Sequence, residues 1–160
     1  PVMFFEHKML YTTKFNDVPE VEEDVCIPFG RARIVAEGAD ITVVTNSMMT
    51  IKAEKAVRQL QKEGISAELI DLRTIVPLDT ETIIRSVKKT GKLLIVDEGH
   101  LSFGITGEIA SRIMPDVFYD LDAPIQRMGT ADVPLPFSPA LEFPLIPDEK
   151  KIAAKIREMV

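Results

Sequence analysis

The sequence predicts an α/β fold, a three-layer α/β/α sandwich around a mostly parallel sheet of about five strands with one antiparallel edge strand. Three observations predict it. The β-branched run Ile41-Thr42-Val43-Val44-Thr45 has the composition of a buried strand, helical spacing follows it at once, and the same strand-then-helix order recurs from Ala67 onward. Strands alternating with helices need crossover connections, which make the pairing parallel and the connections right-handed.

Each element has a local cause. Val2-Met3-Phe4-Phe5 reads as a short buried strand, the end of something that precedes it. From Phe15 to Gly30 there is no Lys or Arg, and Asp17, Glu20, Glu22, Glu23 and Asp24 crowd around Pro19 and Pro28, a composition that suits an extended, solvated connector. A boundary near Cys26 follows, with a tail and linker over residues 1–25 and the main domain over 26–160. Arg31 to Ala36 reads as the antiparallel edge strand, and Gly38-Ala39-Asp40 as a turn into Ile41 to Thr45. Ala53, Ala56, Val57 and Leu60 then form one face of a helix, Glu54 can pair with Arg58, and Gly64 stops it.

The unit repeats. Ala67 to Leu72 is a strand, and Asp79 caps a helix through Ile83, Ile84 and Val87. Lys88 and Lys89 favour that helix's negative end, and Gly91 closes it. Leu93 to Val96 is the next strand; a glycine-punctuated turn from Gly99 to Gly104 leads to a helix with Ile105, Ile109 and Ile113 on one face. Ile125 to Met128 offers a further strand. Prolines at 134, 136, 139, 144 and 147 keep the following stretch on the surface without a ladder, and Asp148 caps a last helix striped by Ile152, Ile156 and Met159.

Composition excludes several function classes. At 160 residues, with 46 % hydrophobic and 28 % charged residues, the chain is the size of one domain, and no apolar run reaches the roughly 18 residues of a membrane span. A net charge of −6 repels a nucleic-acid backbone. The lone Cys26 rules out an internal disulfide and any multi-cysteine metal site, and no charged-then-apolar leader opens the chain, so the expected compartment is the cytoplasm.

Each candidate site has a plainer alternative. Gly99, Gly104 and Gly107 sit between a strand and a helix, where amides could receive a phosphate, but their spacing fits neither the dinucleotide fingerprint nor the phosphate-binding loop, and tight turning accounts for them. Asp97 and Glu98, at a strand's carboxyl end, could hold a metal or exchange protons, or else anchor a loop or a subunit. Asp71 and Arg73 read as ion-pairing residues that fix the turn from Thr74 to Pro77, with a substrate-binding arginine as the sharper alternative. His7 and His100 are the two histidines, each a conceivable general base. No cationic neighbour in sequence activates Cys26 as a nucleophile. Catalysis by this chain alone has little support.

Taken together, Ile70-Asp71-Leu72-Arg73-Thr74 with Pro77-Leu78-Asp79, Gly104-Ile105-Thr106-Gly107-Glu108-Ile109, Leu121-Asp122-Ala123-Pro124 and Pro134-Leu135-Pro136-Phe137-Ser138-Pro139 closely resemble one family. It is the carboxyl-terminal domain of the β subunit of thiamine-diphosphate-dependent 2-oxo acid dehydrogenases, in the transketolase superfamily. The likeness spans nearly the whole chain; Glu6-His7-Lys8 and Ser138-Pro139-Ala140-Leu141-Glu142 lean toward acetoin dehydrogenases, with pyruvate and branched-chain enzymes close behind. The turn Gly99-His100-Leu101-Ser102-Phe103 departs from the family, many members being richer in glycine there.

The resemblance implies several things. Pro1 to Tyr11 would end the pyrimidine-binding domain. Thiamine diphosphate with Mg would lie between an α subunit and that domain, so this fragment would hold neither cofactor nor catalytic residue. Its expected partners are the α subunit, a second β subunit, and the basic peripheral binding domain of a dihydrolipoyl acyltransferase, the last contacted by Asp122 and the carboxylate of Val160. An acidic surface meeting a basic module suits that role. The competing reading is a flavodoxin-like or receiver-like regulatory module, but a receiver needs an acidic cluster after its first core strand, where this chain has Thr45-Asn46-Ser47.

Overall fold

The computed structural model describes residues 3–12 and 25–160, so Val2 and most of the acidic connector lie outside the described residues. The elements are β1 (Arg33–Ala36), β2 (Ile41–Thr45), α1 (Ser47–Gln61), β3 (Ala67–Asp71), α2 (Thr80–Thr90), β4 (Leu93–His100), α3 (Ile105–Val117), β5 (Gln126–Thr130), α4 (Pro139–Glu142) and α5 (Glu149–Met159). The sheet order is β1-β3-β2-β4-β5. Only β1 runs antiparallel, on β3; the other pairings are parallel. The expected architecture is therefore the observed one.

Period-2 alternation divides the core in two. Ile41, Val43, Leu69, Leu94 and Val96 face α1 and α5 and meet Met49, Leu60, Ile152 and Ile156. Val44, Ile70, Leu93 and Ile95 point the other way onto α2 and α3, where Ile83, Val87, Ile109 and Ile113 cover them. Each such side chain, wholly buried, contributes about 1.5–3 kcal/mol of transfer free energy. Thr42 also faces α2, and its hydroxyl bonds the hydroxyls of Ser86 and Thr90 at 2.7 Å each. Burying a hydroxyl there thus leaves no orphan polar atom.

The helices begin and end as their residues dictate. Asp79 accepts the amide of Thr82 and caps α2, Asp148 does the same for Lys151 at the start of α5, and Gly91 ends α2 with φ +68°. Four local expectations change. Met3, Phe4 and Phe5 form no strand and stand exposed, pairing with neither edge strand, β1 or β5. β1 starts at Arg33 instead of Arg31. β4 continues through Asp97, Glu98 and Gly99 to His100, because β5 keeps pairing with it and sets Thr130 opposite His100 after a shift of register. The proline-rich stretch contains the one-turn α4, with Pro139 at its first position, where a missing N–H costs nothing.

The four parallel strands give the molecule two unlike ends. The carboxyl end gathers the loops after β2, β3, β4 and β5, together with the entry to β1, since Arg33 pairs with Asp71. The amino end gathers Gly91 and residues 118–125.

Candidate docking sites

At the carboxyl end, the groups with chemical potential are tied to one another. Asp97 Oδ2 accepts the amide of Gly99 at 3.0 Å. Glu98 Oε1 meets His7 Nε2 at 2.9 Å, and its carbonyl accepts the Thr130 hydroxyl at 2.7 Å. His7 Nδ1 accepts the amide of Met9, so in the neutral ring Nε2 carries the hydrogen that Glu98 receives. His100 Nδ1 lies 2.9 Å from the carbonyl of Ala131; a carbonyl only accepts, so this nitrogen holds the ring's hydrogen.

The turn before α3 is equally occupied. Leu101 donates its amide to Thr130, Ser102 donates both amide and hydroxyl to Asp132, and Arg127 Nη1 donates to the carbonyl of Leu101 at 3.2 Å. The Ser102 hydroxyl, offset in part by desolvation and aided by the Ser102 amide and His100, holds the Asp132 carboxyl below the usual aspartate range. Gly104 has no room for a side chain, because a Cβ there would lie 2.0 Å from the carbonyl oxygen of His100. Gly104 thus serves a tight turn, and the amides of Gly99 and Gly107 are engaged internally, by Asp97 and by the carbonyl of Gly104.

Asp71 and Arg73 correct the expectation of an ion pair. Asp71 Oδ1 accepts the backbone amide of Arg73 at 3.2 Å, and Arg73 adopts φ +56°; among the described residues its guanidinium has no ion-pair partner. Thr74 fixes the turn instead, donating its hydroxyl to Pro77 and accepting the amide of Gly30 at 2.9 Å. Cys26 is exposed and free. The His7–Glu98 contact and the Ser102–Asp132 clamp span 91 and 30 positions of sequence, so no local motif announces either.

Asp122 and Val160 both lie at the amino end, in different layers. Asp122 is exposed; its amide donates to the carbonyl of Gly91 at 2.8 Å, which locks it to the end of α2. Beside it an open groove of about 630 Å³ runs along α3, lined by Met114, Phe118, Leu121, Pro124 and Arg127. Lys52 reaches the carbonyl of Pro147 near the start of α1, and Arg157 grips Glu63 just past its end, so α5 runs alongside α1 in the same direction. Val160 consequently emerges at the amino end on the α1–α5 side, about half exposed, whereas Asp122 sits on the α2–α3 side. One copy of the chain does not bring the two together.

The description "Transketolase, C-terminal domain" matches residues 30–152. The chain belongs to that family. Among curated relatives of this transketolase C-terminal domain, the pyruvate dehydrogenase E1 component subunit beta of Rickettsia felis is 46 % identical over 159 residues, covering 99 % of this chain and 48 % of the relative. The acetoin:2,6-dichlorophenolindophenol oxidoreductase subunit beta of Cupriavidus necator is 42 % identical over 158 residues, 99 % of this chain and 46 % of the relative. A solved structure, "Split gene transketolase, inactive beta4 tetramer", superposes with TM-score 0.71 at 27 % identity, over 89 % of this chain and 45 % of the other. The chain thus spans about half the length of the relatives it matches, and the receiver-like alternative is set aside. No described helix is long and apolar enough to cross a membrane.

Proposed function

We propose that this chain is the assembly domain of the β subunit of a thiamine-diphosphate-dependent dehydrogenase that oxidatively decarboxylates a 2-oxo acid, or cleaves acetoin, and passes the acyl group to lipoamide. One observation carries the reading: 99 % of the chain matches β subunits of such enzymes at 46 % and 42 % identity. The domain starts near Cys26, after the tail of a pyrimidine-binding domain. Its work is to join an α subunit, a second β subunit and the basic peripheral domain of a dihydrolipoyl acyltransferase. Likeness to a structure whose name describes a β4 tetramer supports association between copies.

Thiamine diphosphate with its Mg supplies the carbanion chemistry in such an enzyme. The described residues of this chain do not fit a site for it: Asp97 and Glu98, the paired carboxylates at the sheet's carboxyl end, are already taken by the Gly99 amide and the His7 imidazole. No catalytic step is therefore assigned to this chain. Asp122 and Val160 are instead the contacts for the basic module, and the apolar groove beside the exposed Asp122 supports that use.

Calorimetry tests the proposal. The 160-residue chain should give no heat with thiamine diphosphate and Mg, and should bind a dihydrolipoyl acyltransferase peripheral domain. Asp122→Asn should weaken that binding about tenfold, the loss of one charge-assisted hydrogen bond. Useful cofactor affinity, or peripheral-domain binding indifferent to Asp122→Asn, would overturn the assignment.

A further inference from the structure

Of the two histidines, His7 is the one whose ring nitrogens are both engaged. Nδ1 accepts the Met9 amide at 3.3 Å, and Nε2 meets Glu98 Oε1 at 2.9 Å. Only a neutral ring makes both bonds as hydrogen bonds of these senses, one nitrogen accepting while the other donates. His100 differs, because giving Nδ1 to the carbonyl of Ala131 suits a neutral and a charged ring alike.

Each bond of His7 has a separate task. The first caps the 3₁₀ turn Lys8–Tyr11, which Leu10 and Thr12 close by donating their amides to the carbonyls of His7 and Met9 at 2.9 and 3.2 Å. That turn sets Leu10 against the core layer of α1 and α5. The second bond moors the segment 3–12 to β4, and with side chains 22 % exposed at His7 and 35 % at Glu98 the pair is open to proton exchange yet incompletely screened.

The charges around the ring leave Glu98 as its counterpart. On β4, Asp97 is turned onto the Gly99 amide, and His100 is held by Ala131. On the segment itself, Glu6 is taken by the Tyr11 hydroxyl, and Lys8 is exposed. From α1 and α5, Lys52 is committed to the carbonyl of Pro147, and Lys151 to those of Pro144 and Ile146.

We infer that His7 is a proton-operated latch on the segment 3–12. When the imidazole takes up a proton, Nδ1 gains a hydrogen and changes from acceptor to donor, so the Met9 bond is lost and the turn loosens. The bond to Glu98 meanwhile becomes an ion pair and keeps the segment moored. One ring therefore answers the same proton in opposite senses at its two nitrogens. Histidine is the side chain suited to such a change near neutral pH.

Nitrogen-15 NMR of the 160-residue chain tests the latch between about pH 8 and about pH 5. At the upper pH the ring should be in the Nε2–H form, and on acidification the exchange protection of the Met9 and Leu10 amides should fall about fivefold, the ordinary worth of a cap. Protection of Val43 and Ile70 in the sheet should not change. His7→Asn keeps a capping oxygen that does not titrate, so protection in the turn should become independent of pH. Glu98→Gln still accepts from the neutral ring but forms no ion pair, so the segment should stay seated at the upper pH and come away at the lower. An Nδ1–H ring at the upper pH, equal protection of the turn at both, or a pH dependence that survives His7→Asn would overturn the inference.

Discussion

At Asp79, three donors converge on one carboxylate. Oδ1 accepts the Thr82 amide at 3.1 Å, and Oδ2 accepts the Thr82 hydroxyl at 2.8 Å and the Ala32 amide at 2.9 Å, so the residue caps α2 and pins the entry to β1 together. Burial alone would push the carboxyl up; the bonds from Ala32 and Thr82, with the charge of Arg31, outweigh it and hold the pKa below its ordinary 3.8. A depressed folded value means that the stabilisation is complete above the unfolded pKa of about 3.9 and is lost as pH falls through the lower folded value. Asp79→Ala should therefore cost about 2 kcal/mol at pH 7 in urea unfolding, with the gap narrowing below pH ~4. A gap of constant size from pH 7 to pH 3 would contradict this account. Glu68 raises the same issue deeper in. Its side chain is 2 % exposed, and Lys89, Ser86, Glu37 and the Gly38 amide together overcome its burial and keep it ionised. Lys89→Met would strand that carboxylate. Because Lys89 is itself 44 % exposed, the expected loss is about 2 kcal/mol, below the 3–5 of a fully enclosed pair. Thermal unfolding at pH 7 would measure it, and a melting point equal to wild type would count against any stabilising role for the pair.

Elements were legible wherever a residue type admits one backbone solution. Asp79 and Asp148 start helices and Gly91 ends one for reasons internal to those residues, and the β-branched run of β2 has no other way to bury both faces. What stayed hidden depends on partners far along the chain. Leu93 to Val96 reads as the whole of a strand until β5, beside it, carries the pairing on to His100, and Met3-Phe4-Phe5 reads as a strand although it pairs with neither edge of the sheet. Of the candidate docking residues, Asp122 was visible only through its motif, and its placement depends on an element distant in sequence. Gly91 closes α2 at φ +68°, and a Cβ at that position would lie 2.1 Å from Asp122 Oδ2. Gly91→Ala should thus do two things: lower stability by about 1–2 kcal/mol through the left-handed backbone, and turn the Asp122 carboxylate aside, weakening peripheral-domain binding as Asp122→Asn does. Asp122→Asn by itself should leave the melting point unchanged, which separates the two effects. If Gly91→Ala destabilises the chain but binds the module normally, the end of α2 does not orient Asp122.

Across the whole molecule, the two ends of the sheet differ in kind. The carboxyl end mixes exposed apolar side chains with charged groups that are mostly clamped by internal hydrogen bonds, whereas the amino end carries the exposed charges Lys88 with Asp120 at 3.8 Å, Arg157 with Glu63 at 2.7 Å, and Asp122. Contacts at the first end should respond little to salt, because burial of apolar area is not screened. At the second, charges separated from a partner by more than about 10 Å are screened at 0.1 M salt, and rim charges act chiefly on the rate of encounter. With a net charge of −6, the chain as a whole also draws a basic module toward itself. Peripheral-domain association, followed by surface plasmon resonance, should accordingly slow steeply as salt rises from 0.05 to roughly 0.5 M, over which the screening length falls severalfold, while dissociation changes little. Asp122→Asn should flatten that dependence, since it removes one of the charges that steers approach. Phe103→Asp, at the opposite end, should not reduce it. An association rate indifferent to salt would mean that the module is recognised by shape or apolar contact in the groove along α3, and that the acidity of this end plays no part in choosing the partner.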